Sequence, residues 1–159
     1  MGTTSVSVEY INPFVTASFA VMSMMFNEAP TKGALSALPD SFTSQQVNVV
    51  VGITGDISGM VILGMSLTTA DRIASMMIGQ PIKVFDYLAS SAVAELGNMI
   101  CGNGLLQISE GGHLCDLTPP TVIRGTNVEI STLAVPAIVV PLKLSLGEVT
   151  ITVGLRGNK

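Results

Sequence analysis

Ser91, Glu95 and Asn98 stand at i, i+4 and i+7 in the run SSAVAELGNMICGNG, Ser90 to Gly104. At about 100° per residue on a helix, placing Ser91 at 0° puts Glu95 near 40°, Asn98 near 340° and Gly102 near 20°. A hydroxyl, a carboxylate and a carboxamide then share one narrow face with a residue that has no side chain. Ala89, Val93, Leu96 and Ile100 fall on the opposite side, with Ala92 and Met99 flanking, so the helix is expected to bury that side and turn the stripe outward. Gly102 costs roughly 1 kcal/mol relative to Ala in a helix interior and can let another backbone come close. Any surface helix carries polar residues outside, so spacing alone describes a wet face as well as a site.

Other reactive sets are missing from the chain. His113 is the single histidine and has no evident partner as a base. Cys101 and Cys115 form no CxxC pattern, and with one histidine they are too few for a structural zinc site; packed or free thiols are expected. The glycines of GDISG and SEGGH lack the strand-to-helix context and the lysine of a phosphate loop and read as turns. There is no compact carboxylate cluster of the kind that holds magnesium, so no intrinsic metal is expected.

The elements that must position the stripe follow from punctuation and periodicity. Asn12 and Pro13 read as an N-cap and first helical proline, opening a helix that Pro30 ends. A loop follows. Gln46 to Leu67 alternates and is rich in Val and Ile, a hairpin turning at GDISG. Thr68 or Thr69 can cap a short helix closed by Gly79 and Pro81. A longer helix runs from near Lys83 to about Ser109 and carries the stripe. TVIRGTNVEISTL offers one or two short strands, and AIVVPLKLSLGEVTITVGLR is a second hairpin turning at LGE. VVVGITGDISGMVILGMS from Val49 and VVPLKLSLGEVTITVGLR from Val139 share strand, turn and strand, each downstream of an amphipathic helix, which reads as an internal duplication. In the first helix the stripe's spacing picks out Ser18, Met22 and Met25, the character of a packing surface.

The chain has 159 residues, the size of one domain, with 48% hydrophobic and 11% charged residues. No apolar window reaches the ~18 to 20 residues needed to cross a bilayer, and the best, LAVPAIVVPL, holds two prolines. The N-terminus shows no basic region leading an apolar core, so a cytoplasmic protein is expected. Such apolarity with little charge suits a large core and a subunit interface. A net charge of −4 and only seven Lys and Arg leave no basic stripe for nucleic acid.

The S-x3-E-x2-N pattern of Ser91, Glu95 and Asn98 with Gly102, followed by L-x-x-P-x-V-I-x-G in Leu117, Pro120, Val122, Ile123 and Gly125, resembles the CheC/CheX/FliY family of chemotaxis phosphatases. The opening EYINPF at Glu9 to Phe14 is similar to the start of CheX proteins. The resemblance covers nearly the whole chain and implies an α+β fold of duplicated helix-plus-antiparallel-strand units, with two long helices on a sheet, as one domain over residues 1–159. CheC relatives carry the Glu and Asn pair on both helices; with Met22 and Met25 taken as the first copy, a single-site, CheX-like arrangement is expected.

The resemblance implies a substrate, the aspartyl phosphate of a CheY-type receiver domain, and a reaction, its hydrolysis. By the family's pattern Asn98 holds the attacking water and Glu95 pairs with the receiver's active-site lysine. Ser91 and Gly102 fall in the partner-binding surface, with the role of Ser91 left open. Magnesium would belong to the receiver, and a homodimer is implied. The other readings are a non-catalytic module that docks a receiver or a flagellar switch component with the same face, and a structural dimeric domain with a solvated helix.

Overall fold

A computed structural model describes residues 8–39, 41–132 and 136–158 of the chain. The first three residues of the apolar run LAVPAIVVPL, Leu133 to Val135, fall outside these. In chain order the elements are α1 (Val8–Phe26), β1 (Thr31–Lys32), β2 (Ser36–Leu38), β3 (Ser41–Thr43), β4 (Val47–Gly55), β5 (Ile57–Met65), α2 (Leu67–Ile78), α3 (Tyr87–Glu110), β6 (Cys115–Leu117), β7 (Thr121–Arg124), β8 (Glu129–Ser131), β9 (Ala137–Leu144) and β10 (Gly147–Gly157). This is the α+β arrangement expected from the sequence, two long helices against an antiparallel sheet.

The two long hairpins, β4–β5 and β9–β10, form where alternation predicted them, and they join edge to edge through β5 and β10. Short strands complete the sheet on both sides: β1 and β2 pair with β9, while β6 and β7 pair with β4. A separate ladder links β3 to β8. Inward positions alternate along each strand, so Val49, Val51, Ile53, Val61, Leu63, Val149, Ile151 and Val153 share one buried cluster with the helices. Phe14, Val21 and Met22 of α1 and Ala89, Val93, Leu96 and Ile100 of α3 complete that core.

Four boundaries differ from the sequence reading, one of them the start of α3, expected near Lys83 and found at Tyr87 behind an Asp86 cap. The first helix starts upstream of Asn12 and contains Pro13, so Asn12 is not its cap. Burial of Ile11 and Phe14 keeps the chain helical there, at the cost of one backbone bond that Pro13 cannot donate. The cap of α2 is Ser66, whose hydroxyl accepts from the Thr69 amide at 3.2 Å, in place of Thr68 or Thr69. The loop after Pro30 holds β1, β2 and β3, pieces of two or three residues that exist through pairing and leave no periodic signal. Among the described residues no helix is long and apolar enough to cross a membrane.

Cys101 lies in the core on α3, and burial pushes its thiol from 9.0 up to about 12. Only the thiolate reacts. An aromatic disulfide reagent at pH 8 is therefore expected to label the half-buried Cys115 in the folded protein and to reach Cys101 only after unfolding. Thiol counting with and without denaturant checks this.

Candidate functional site

The stripe is built on α3 by anchoring both ends of that helix. Asp86 caps the start, its carboxylate accepting from the Ala89 amide at 3.0 Å, and Gly111 closes the end through its amide to the carbonyls of Gln107 and Ile108. Just before the cap, the Phe85 carbonyl accepts from Arg124 Nη1 at 2.9 Å, and the guanidinium lies 5.5 Å over the Phe85 ring. The segment after α3 therefore holds the start of α3. LTPPTVIRG runs along β4: the Thr118 amide donates to the Gly52 carbonyl at 2.9 Å and its hydroxyl accepts from the Gly52 amide at 2.8 Å. Pro119 and Pro120 occupy the gap between β6 and β7, where no ladder amide is needed.

Two glycines set how closely α3 packs. A Cβ on Gly97 would meet Val49 Cγ1 at 2.7 Å, and one on Gly104 would meet Phe14 Cδ1 at 2.5 Å, so the helix lies tight on β4 and on α1. Gly102 is different: nothing lies within 4 Å of where its Cβ would be, so it clears room on the outer face only. Ala89, Val93, Leu96 and Ile100 are fully buried, as the angular pattern requires. Ser91 and Glu95 are exposed, while Asn98 and Gly102 are half-buried. The helix thus brings all four predicted residues onto one outward face. The side chains of Ser91, Glu95 and Asn98 make no hydrogen bond or ion pair with any described residue.

Three further residues share this face. Tyr87, Leu88 and Leu106 are 87%, 52% and 64% exposed. At about 100° per residue they fall near 320°, 60° and 60° on the same wheel, framing the polar stripe at both ends. The angular signal was in the sequence, and their apolar character concealed it. Ser91, Glu95, Asn98 and Gly102 line none of the cavities described for the chain. A cavity of about 580 Å³ lies beside α2, lined by Arg72, Met76, Pro81 and Leu146, and none of the stripe residues borders it. A helix ridge offering one carboxylate and one carboxamide cannot enclose a small substrate. It is suited to enter a pocket belonging to another molecule.

The first helix does not mirror the stripe at the expected positions. Ser18 and Met22 are completely buried, and Met25 is half-buried against the core. The Ser18 hydroxyl donates to the Phe14 carbonyl at 2.7 Å. These residues are the inward face of α1, so pairing them with Ser91, Glu95 and Asn98 compared opposite sides of two helices.

Residues 47–143, from the start of β4 through most of β9, match the family described as chemotaxis phosphatase CheX. The chain belongs to the CheX family. The CheY-P phosphatase CheX of Thermotoga maritima is 32% identical over 126 residues, covering 79% of this chain and 81% of that one. Among solved structures, a CheC-like superfamily protein from Shewanella sp. PV-4 superposes with a TM-score of 0.85 at 25% identity, over 96% of this chain and all of that one. The CheX of Borrelia burgdorferi, solved in a CheX–CheY–BeF3–Mg2+ complex, gives a TM-score of 0.81 at 29% identity, over 94% and 99% of the two chains. The family match contains α3 with its stripe and the LTPPTVIRG strap, the two segments that carried the sequence resemblance.

Proposed function

We propose that this chain hydrolyses the aspartyl phosphate of a CheY-type receiver domain, with Asn98 as the catalytic residue and Glu95 as the docking residue. The observation that carries the reading is the Glu95 and Asn98 pair, unengaged by any described residue, on the outward face of α3 in a CheX-family chain. The Borrelia relative in its complex with CheY, beryllofluoride and magnesium supports a receiver as partner.

In this reading α3 lies across the receiver's active site. The Asn98 carboxamide enters and holds a water in line with the phosphorus. The water oxygen bonds to phosphorus, the bond from phosphorus to the aspartate oxygen breaks, and the receiver regains its carboxylate. Inorganic phosphate leaves with the water's protons. Such transfer depends on positioning and charge stabilisation, and a hundredfold acceleration requires only about 2.7 kcal/mol. Glu95 pairs with a lysine of the receiver and fixes the docking angle. One carboxylate is not the oxygen set that magnesium takes, so the ion is carried by the receiver. Tyr87, Leu88 and Leu106 supply apolar contact around the polar centre, the pattern of a protein interface. The reaction takes place in the cytoplasm, and the apolar composition supports a homodimer, which light scattering would measure.

Gly102 separates fold from docking. Because its Cβ position is open, Gly102→Ala is expected to stabilise the isolated protein by roughly 0.5–1 kcal/mol while lowering phosphatase activity several-fold. Thermal melting and a phosphate-release assay on the same preparation check both signs.

A further inference from the structure

The middle of the sheet carries two residues that strands avoid, directly opposite each other. Asn48 of β4 faces Gly64 of β5, and Gly64 faces Thr150 of β10 on its other side. Asn is depleted in strands, and a glycine in a strand interior weakens it and often marks a close approach by another group. Val47, Val49 and Leu63 enter the helix-facing core, so by alternation Asn48 and Gly64 lie on the sheet's other face. The next row on that face is Ile62, Thr152 and Val139.

A cavity of about 220 Å³ lies over these two rows, with Leu38 of β2 and Phe42 of β3 completing its wall. Gly64 forms part of its floor. A Cβ there would meet Gln45 Cγ at 2.9 Å, Thr150 Oγ1 at 3.0 Å and Asn48 Oδ1 at 3.3 Å, so three side chains converge over a residue that has none. Asn48 is 1% exposed and Thr152 5%. The Asn48 amide nitrogen donates to the Gln45 carbonyl at 2.7 Å, which fixes Oδ1 as the free end. Nothing among the described residues donates to that Oδ1 or bonds the Thr152 hydroxyl. Two buried polar groups without partners facing one cavity are an exception that a ligand accounts for.

The described lining holds hydroxyls and amides and no charged side chain. A charged ligand would lose its hydration with no counter-charge to meet it, and an apolar one would leave Asn48 Oδ1 and the Thr152 hydroxyl unpaired. A hydroxyl both donates and accepts, so it serves both atoms, while the C–H face of a ring packs on Phe42, Ile62 and Val139. The volume is that of roughly seven waters at ~30 Å³ each, below the about 300–1,000 Å³ of a drug-sized pocket, which suits a single ring. We infer that this cavity binds a small neutral polyhydroxy compound of monosaccharide size, one hydroxyl donating to Asn48 Oδ1 and another bonded to the Thr152 hydroxyl. The site stands apart from the phosphatase reading, because α3 packs on the opposite face of β4, with Gly97 against Val49.

The test uses the full chain, glucose and myo-inositol as probes, and glucose 6-phosphate as the charged counterpart. Saturation-transfer NMR is expected to show both neutral probes bound and the phosphate ester unbound. A tenfold excess of glucose over its Kd is expected to raise the melting temperature by ~3–5 °C. Thr152→Val removes one hydroxyl at nearly constant shape and is expected to fold normally and bind glucose at least fivefold more weakly. Gly64→Ala, which fills the floor, is expected to weaken it further. Sugars stabilise proteins generally by exclusion from their surface, so a melting shift equal in wild type and Thr152→Val overturns the site. Glucose 6-phosphate bound as tightly as glucose overturns the neutral ligand, and no saturation transfer to either neutral probe overturns the site and leaves the cavity to water alone.

Discussion

Asn98→Ala is expected to lower the accelerated rate of receiver dephosphorylation at least ~10-fold, a loss of about 1.4 kcal/mol or more of transition-state stabilisation. Receiver binding should stay within about twofold, because a carboxamide that orients water acts mainly as the water attacks. The expected signature is thus a fall in kcat with little change in KM. The substitution sits on the outer face of a helix whose inner face is untouched, and Ala is the better helix former, so folding is preserved. Phosphate release at saturating receiver, with circular dichroism of the variant, measures both parts. Wild-type turnover from Asn98→Ala removes the amide from the mechanism.

Glu95→Lys should act on binding first. The carboxylate is exposed and has no ion-pair partner within the described residues, so in the free protein it contributes little. Against a receiver lysine it becomes a desolvated charge pair, and reversal places two cations in contact. A weakening on the order of 100-fold, about 2.7 kcal/mol, is expected for the activated receiver. Glu95→Gln should fall between, because it keeps the shape and a hydrogen bond. Raising the ionic strength should weaken the wild type and leave Glu95→Lys nearly unaffected. Titration calorimetry at two salt concentrations separates these cases, and equal affinity for wild type and Glu95→Lys would show that Glu95 does not meet the partner.

Much of this surface was legible in the sequence because a helix turns spacing into direction. Ser91, Glu95, Asn98 and Gly102 were assigned outward and Ala89, Val93, Leu96 and Ile100 inward, and burial follows that division. The long hairpins were legible because one buried face forces alternation, and the turns at Gly55 and Gly147 take positive φ values. What escaped were elements made by pairing alone. Two residues of β1 and three each of β2, β3 and β6 have no pattern of their own.

The relation between the helices escaped for a different reason. Intervals of four and three residues show that residues share one face of a helix but not which face, so spacing cannot fix the register between two helices. Ser18, Met22 and Met25 fit the stripe's intervals while pointing into the core. The strap was found as a motif, but its task in holding Phe85 through Arg124 needed the folded chain.

The most direct measurement is the lifetime of phosphate on a CheY-type receiver, with magnesium present, in the presence and absence of this protein. The lifetime is expected to shorten by on the order of 100-fold with the wild type and to recover most of that with Asn98→Ala. A receiver that binds the wild-type protein and keeps its phosphate for the same time would contradict hydrolysis and leave the α3 face a docking surface without catalysis.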